Sequence, residues 1–493
     1  MNMRNLLNNE WINSPSGQTF ENRNPADQED IIGNFPRSDA GDVNAAVNAA
    51  RAALKMWRIM PAPKRGDIIR RAGDILTQKK EEIANAMTRE MGKPLIETRG
   101  DVQEAIDTAY YAAGETRRLF GLNAPSELPD KMNLSIRVPI GVCGIITAWN
   151  FPVAVPSWKI LPALAAGNTI VFKPAEDAPY SANLFVECLL EAGLPAGVLN
   201  IVHGFGEECG DALVLHPDVN VIAFTGSTAV GKHIAAKASQ TLKRVSLELG
   251  GKNAQIVMDD ADMELALEGA LWGAFGTTGQ RCTATSRLIL HEKIYDTFIN
   301  KLISRVTKLK IGDGRKPGTE VGPVINEKQI QRIEHYVHIG KDEGAVCVLG
   351  GDRETKGDCS RGWFYKPTIF IDVTPEMRIA REEVFGPVLS VMKVVSLEHA
   401  IEVLNSTDYG LSSSIYTQNI SNSFAAIRDI ESGIVYVNCP TIGAEAHMPF
   451  GGVKQTGNGH REGGWTVFDI FTEWKTVYVD FSGKLQKAQI DNN

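Results

Sequence analysis

Between residues 142 and 249, short apolar runs alternate with helical stretches, and this alternation constrains the fold more than any other feature. The runs cover 142–146, 168–172, 197–202, 219–224 and 245–249. The stretches between them, 156–166, 179–193, 206–216 and 227–239, read as helices of 11–15 residues. Strands and helices in alternation predict a parallel, doubly wound sheet. Both faces of such a sheet are buried, so its strands read as continuously apolar.

The flanking segments differ. Residues 42–57, 66–92 and 101–121 repeat apolar residues at helical steps, and 122–133 is rich in turn formers. A second α/β segment starts near Gly251 with a strand at 253–258, a helix capped by Asp262 and the loop GTTGQRC, and runs to about Phe450. Residues 472–483 alternate as an extended segment with no partner nearby in sequence. It is expected to pair with another strand or another subunit.

Composition excludes several classes. At roughly 150 residues per domain, 493 residues make about three domains or one large two-domain enzyme. Acidic residues outnumber basic ones 59 to 51, for a formal charge of −8, so no basic footprint for nucleic acid is present. Seven cysteines occur with no C-x-x-C pair, which argues against a disulfide framework or structural zinc. A reducing, cytoplasmic setting is the default. The N-terminus shows no apolar signal region, and no apolar stretch is long enough to span a bilayer, so a soluble protein is expected.

Several residues have chemistry to offer. The stretch Gly226 to Gly231, GSTAVG, follows an apolar strand and opens a helix, whose free N–H groups suit an anion. Its G-x4-G spacing is also that of an ordinary glycine turn. Cys282 lies in a Gly/Thr-rich loop beside Arg281, a cation expected to favour the thiolate. By context alone it is either a nucleophile or a buried apolar thiol. Glu248 ends an apolar run where an α/β sheet opens its ligand crevice, although a lone strand-end glutamate is usually solvated. Asn150 in WNFP brings amide donors for an oxyanion, or simply a turn. His335 and His338 lie three apart without a carboxylate or thiol set, so a solvated helix face is expected and no metal site.

Taken together, WNFP, KPAE, FTGSTAVG, LELGGK, GQRC, EEVFGPV and PFGGVK resemble the aldehyde dehydrogenase superfamily in order and approximate spacing, across nearly the whole chain. The resemblance implies an α/β fold. A Rossmann-like NAD(P)-binding domain would comprise 1–121 and 140–250, and an α/β catalytic domain 251–467. A small β flap for bridging and oligomerisation would comprise 122–139 and 468–493. It also implies a mechanism. Cys282 attacks the aldehyde, Asn150 and the Cys282 backbone N–H hold the oxyanion, hydride leaves to the nicotinamide, and Glu248 activates water against the thioester. Trp149, Lys173, Glu176, Gly226, Ser227, Glu383 and Phe385 match cofactor positions. Glu176 would accept bonds from a ribose 2′-OH and repel a 2′-phosphate, favouring NAD, while Lys173 leaves NADP open.

For substrate, Arg281 suits a distal carboxylate. GQRCT, GDVQEAID (100–107) and the IGAEAHMPFGG loop are similar to semialdehyde-oxidising branches, including the α-aminoadipic and α-ketoglutaric semialdehyde enzymes. Glu104 would meet an amino group, or be a solvated helix glutamate. Trp149, Trp158, Phe450 and Trp465 are aromatic candidates for a tunnel wall, or core. The expected partners are a small aldehyde and further copies of the chain, as a homodimer or homotetramer, with no nucleic acid or membrane. Two alternatives stand beside the hydrolytic enzyme: a CoA-acylating dehydrogenase, which typically lacks the Glu248 base, and a catalytically silent binding protein, which has no need of Asn150, Glu248 and Cys282 together.

Overall fold

A computed structural model describes residues 3–490. The outermost residues of the expected 1–121 and 468–493 segments, 1–2 and 491–493, lie outside it. The alternating region forms the parallel part of a seven-stranded sheet. Its strands run in the order Arg244–Glu248, Val221–Thr225, Val142–Ile146, Thr169–Lys173, Leu199–Ile201, Asn5–Leu7 and Glu10–Ile12. The first five are parallel neighbours. Val142–Ile146 and Thr169–Lys173 are buried at every position, as a sheet covered on both faces requires. The last two strands are an antiparallel hairpin that the patterning does not reveal. Three-residue strands carry almost no periodicity. The signal is the turn, where Asn8 and Asn9 take φ of 52° and 64°, the mirror-image geometry that two-residue hairpins use.

Three helical regions were expected before residue 121, and four helices form. Ala40–Ile59 starts at a capping box made by Asp39 and Asp42. The stretch expected as one helix over 66–92 is two, Ala62–Gln78 and Lys80–Met91. They part at Lys79, whose φ of −94° and ψ of 8° leave the helical region. Just before it the Thr77 hydroxyl donates to the Gly73 carbonyl at 2.8 Å, a back-bond that loosens a helix. Leu95–Glu115 follows and packs against Ala62–Gln78 and Ala154–Ala166.

The second sheet also has seven strands, ordered Val346–Leu349, Thr368–Ile371, Val388–Val394, Arg287–His291, Ala254–Val257, Ser412–Tyr416 and Ile434–Val437. All its pairings are parallel except the first. Asp262 caps Met263–Phe275 as expected, accepting from the Glu264 and Leu265 N–H groups. Separate apolar cores line the two faces of this sheet.

The terminal extended segment finds its partner within the chain. Thr472–Asp480 pairs antiparallel with Lys131–Pro139 over nine residues, and Leu122–Pro125 completes a three-stranded sheet. The helix Phe468–Phe471, just before it, buries Phe468, Ile470 and Phe471 in the core of the first sheet. The architecture is α/β throughout.

Candidate active site

The parallel part of the first sheet begins at Val142–Ile146, builds outward to Leu199–Ile201, then returns to the other side with Val221–Thr225. Crossovers therefore run in opposite directions from these two neighbouring strands, and a crevice opens beyond their carboxyl ends. Trp149 and Asn150 follow the first strand, and Gly226 and Ser227 follow the second. Loops of the second sheet face this crevice. The cleft so enclosed measures about 180 Å³, and Trp149, Asn150, Gly226, Ser227, Cys282, Glu383 and Phe385 line it. Seven of the expected site residues thus converge from four sequence regions. A larger groove of about 500 Å³ runs beside Arg58, Phe120 and Arg137, and none of the expected site residues lines it.

The lining of the cleft suits one half of a dinucleotide. Ser227 caps the helix Thr228–Ala238, whose N-terminus opens there, with its hydroxyl accepting from the Val230 N–H at 3.4 Å. The Thr225 hydroxyl is buried without a partner. Glu383 accepts from the Gly251 N–H at 3.0 Å, and a Cβ on Gly250 would come within 2.4 Å of its carboxylate. Glycine there keeps the floor of the cleft open. Phe385 sits at φ 61° and meets Trp149 edge-on, with ring centres 5.4 Å apart. Two residues missed in the sequence hold that strained position. Gln329 donates to the Val384 and Phe385 carbonyls at 3.0 and 2.7 Å, and Arg332 donates to the Glu383 carbonyl. Both lie on the helix Glu327–Asp342, more than fifty residues from Phe385, so only folding joins them. Lys173 and Glu176 lie outside this cleft, at the end of Thr169–Lys173. The buried Lys173 Nζ donates to the Pro174 and Gly204 carbonyls at 2.8 Å each and lies 3.4 Å from Glu176.

Cys282 lies in the loop between Met263–Phe275 and Arg287–His291. Burial, with the Glu248 and Glu383 carboxylates nearby, pushes its thiol up to about 12. The cation expected to favour the thiolate does not serve it. Arg281 turns away, donating to Glu97 at 2.7 Å and to the Thr277 hydroxyl at 2.8 Å, over the ring of Trp272. Its nearest acceptors are oxygens, and they hold it. Asn150 is buried, and its Nδ2 donates to the Gln280 carbonyl at 3.2 Å, which ties it to the residue two before the nucleophile. One amide N–H remains for an oxyanion.

Glu248 ends its strand buried, not solvated, and neither carboxylate oxygen has a hydrogen-bond partner. Burial and the neighbouring Glu462 push it well above the usual carboxylate range, and Lys159 and Arg461 pull it down. A carboxyl held high is suited to taking a proton near neutral pH. Lys159 and Glu462 form a fully buried ion pair beside it. Neither carries a local sequence signal, since 303 residues separate them.

Glu104 is half-buried, not a solvated helix glutamate, and burial with Asp101 nearby pushes it up to about 8. Phe450 packs edge-on against Trp158 at 5.0 Å and exchanges backbone hydrogen bonds with Glu462. Trp465 is 62% exposed, which removes it from a buried tunnel wall. His335 and His338 are exposed on their helix. Among the described residues no group of three or more His, Cys, Asp or Glu side chains is placed to hold a metal ion, and no helix is long and apolar enough to cross a membrane.

Comparison with known proteins agrees with this layout. A family model described as the aldehyde dehydrogenase family matches residues 11–477. An alpha-ketoglutaric semialdehyde dehydrogenase from Bacillus subtilis is 44% identical over 475 residues, covering 96% of this chain and 97% of that one. An alpha-ketoglutarate semialdehyde dehydrogenase from Haloferax volcanii is 42% identical over 481 residues, covering 97% and 99%. A solved betaine aldehyde dehydrogenase from Staphylococcus aureus, in complex with NAD+, superposes with a TM-score of 0.96 at 35% identity, covering 98% of each chain. The chain belongs to the aldehyde dehydrogenase family. It is an NAD(P)-dependent enzyme that oxidises an aldehyde to the carboxylic acid through a cysteine thioester.

Proposed function

We propose that Cys282, Asn150 and Glu248 carry this reaction and that its substrate is a carboxylated semialdehyde. The observation that carries the assignment is the convergence of Cys282 and Asn150 in one cleft, with an unpartnered, high-pKa carboxyl at Glu248 beside them. The Cys282 thiol gives up its proton to solvent water, its sulfur bonds to the aldehyde carbon, and the carbonyl π pair moves onto oxygen. The remaining Asn150 amide N–H and the Cys282 backbone N–H bind the resulting oxyanion, each such donor contributing roughly 10²–10³ in rate. When bound, NAD(P)+ supplies the hydride acceptor. Glu248 takes a proton from water, the hydroxyl oxygen adds to the thioester carbon, and the C–S bond breaks to release the acid and the thiol. The base makes hydrolysis the outcome and sets aside transfer to CoA. The full catalytic set argues against a silent protein.

NAD is the favoured cofactor. The Staphylococcus aureus structure holds NAD+, and Glu176 beside Lys173 would repel a 2′-phosphate. Trp149, Gly226, Ser227, Glu383 and Phe385 would line the nicotinamide half, and Lys173 and Glu176 the adenosine ribose. Two relatives named for α-ketoglutaric semialdehyde support a carboxylated substrate. Arg281 uses Nε on Thr277 of its own loop and one terminal nitrogen on Glu97 of the helix Leu95–Glu115, and its other terminal nitrogen stays available to a substrate carboxylate. Glu104 and Phe450 would bound the substrate side. The same reading divides the chain into a cofactor unit (1–121, 140–250), a catalytic unit (251–467) and a β arm (122–139, 468–493), with Phe468–Phe471 packed on the first. It places the enzyme in the cytoplasm as a homodimer or homotetramer. The test is NADH and NADPH formation with neutral aldehydes and semialdehydes of matched length, for the wild type, Cys282→Ala and Arg281→Ala. Turnover lost in Cys282→Ala, and a carboxylate preference lost in Arg281→Ala, are expected. Full turnover in Cys282→Ala overturns the nucleophile, and an unchanged preference in Arg281→Ala overturns the carboxylate contact.

A further inference from the structure

The turn before the nucleophile is strained and is held from outside. Thr277 and Thr278 take φ of 52° and 56°, and Gly279 follows at 67°. Consecutive left-handed threonines are costly, since a β-branched side chain fits that region poorly. Such a conformation persists only where its surroundings over-determine it. The main restraint is Glu97, near the start of the helix Leu95–Glu115. Its side chain is 1% exposed. One carboxylate oxygen accepts from the Thr277 N–H at 3.0 Å, and the other accepts from the Thr277 hydroxyl and from Arg281 at 2.7 Å. Arg281 closes the ring by donating to the Thr277 hydroxyl at 2.8 Å. The ring therefore spans the residues leading directly into Cys282.

The same helix holds the other half of the site. One turn after Glu97, Asp101 accepts from the Ala154 N–H at 2.7 Å, four residues beyond Asn150, and pairs with the buried Lys93 at 2.7 Å. Lys93 lies 3.7 Å over the ring of Phe151, the residue next to Asn150. Leu95–Glu115 is thus a common mount for the nucleophile turn and the oxyanion segment, which come from different sheets.

We infer that Glu97 is a positioning residue: by holding the 277–281 turn it sets the Cys282 sulfur and backbone N–H against Asn150. This rests on the reading of Cys282 as nucleophile. Displacement of a reacting atom by about 1 Å costs of order 10²-fold in rate, so the clamp acts on the chemical step and not on cofactor binding.

The experiment compares Glu97→Ala and Glu97→Gln with the wild type, using a neutral aldehyde so that Arg281 makes no substrate contact. Single-turnover NADH formation is divided by the number of sites that bind NADH, read from the endpoint of the NADH titration, which counts folded protein. Glu97→Ala is expected to lower the rate per site at least tenfold, with NADH affinity within twofold. Glu97→Gln, which keeps the size and one acceptor, should fall between the two. A purely structural role would lower the number of sites and leave the rate per site unchanged, so a rate per site within twofold of wild type overturns the inference. If Glu97→Ala yields no folded protein, Glu97→Gln decides, a drop of threefold or more supporting the clamp and a smaller one overturning it. Turnover in Cys282→Ala would instead overturn the underlying reading. An inactive Cys282→Ala beside a fully active Glu97 variant would overturn only the clamp.

Discussion

Cys282 has a thiol that its surroundings keep protonated, and Glu248 has a carboxyl that its surroundings keep ready to accept a proton. Both shifts arise first from burial; the Glu248 carboxylate then adds to the cost of ionising Cys282, and Glu462 adds to that of Glu248. The residues divide the reaction between them, and the division is testable. In Glu248→Gln the cysteine still attacks and hydride still leaves, but water is not activated. The variant is expected to release about one NADH per site and then slow by roughly 10²–10⁴-fold, read by stopped-flow absorbance. Steady turnover at the wild-type rate would remove Glu248 from hydrolysis. At this scale the sequence was informative about types and positions. It pointed to Cys282, Glu248 and Asn150, but misjudged Arg281, because adjacency in the chain says nothing about where a long side chain finds its acceptor.

At the scale of elements, helices bring charges to the site from far away in the chain. Ala154–Ala166 is buried almost throughout and carries Lys159 to Glu462. Lys159 lowers the pKa of Glu248, while Glu462 raises it. In Lys159→Met the lowering contribution disappears and Glu462 is left unpaired, so Glu248 moves further up. A general base acts in its ionised form, so the rising limb of kcat with pH should shift to higher pH. A pH–rate profile checks this, and an unmoved limb would exclude the pair from tuning Glu248. Loss of one partner of a buried pair should also cost about 3–5 kcal/mol in denaturant unfolding. Little of this was legible beforehand. The Pro179–Glu191 and Thr228–Ala238 helices follow from periodicity and capping. Lys159, Glu462 and Glu97 are ordinary charged residues in their local windows, and their meaning comes only from what folds against them.

For the whole molecule, Leu122–Pro125, Lys131–Pro139 and Thr472–Asp480 make a three-stranded sheet separate from both seven-stranded sheets. Its Trp474 and Tyr478 are 50% and 64% exposed on one face, with Arg137 and Lys131 over their rings. Exposed aromatics on a sheet of this kind fit a subunit contact. Wild type is expected to be a dimer or larger in light scattering, and Trp474→Glu combined with Tyr478→Glu to shift it toward monomer. A monomeric wild type would refute the contact. The amino-acid sequence alone indicated the parallel sheet, through continuously apolar runs, and the class of chemistry, through seven motifs in the family's order. Only the tertiary structure decided that the terminal strand pairs with residues 131–139, that Arg281 serves the loop and not the thiol, and that Glu248 sits beside an ion pair. Periodicity is a local property of the chain, whereas burial, strand pairing and the partner of a charge depend on contacts hundreds of residues apart.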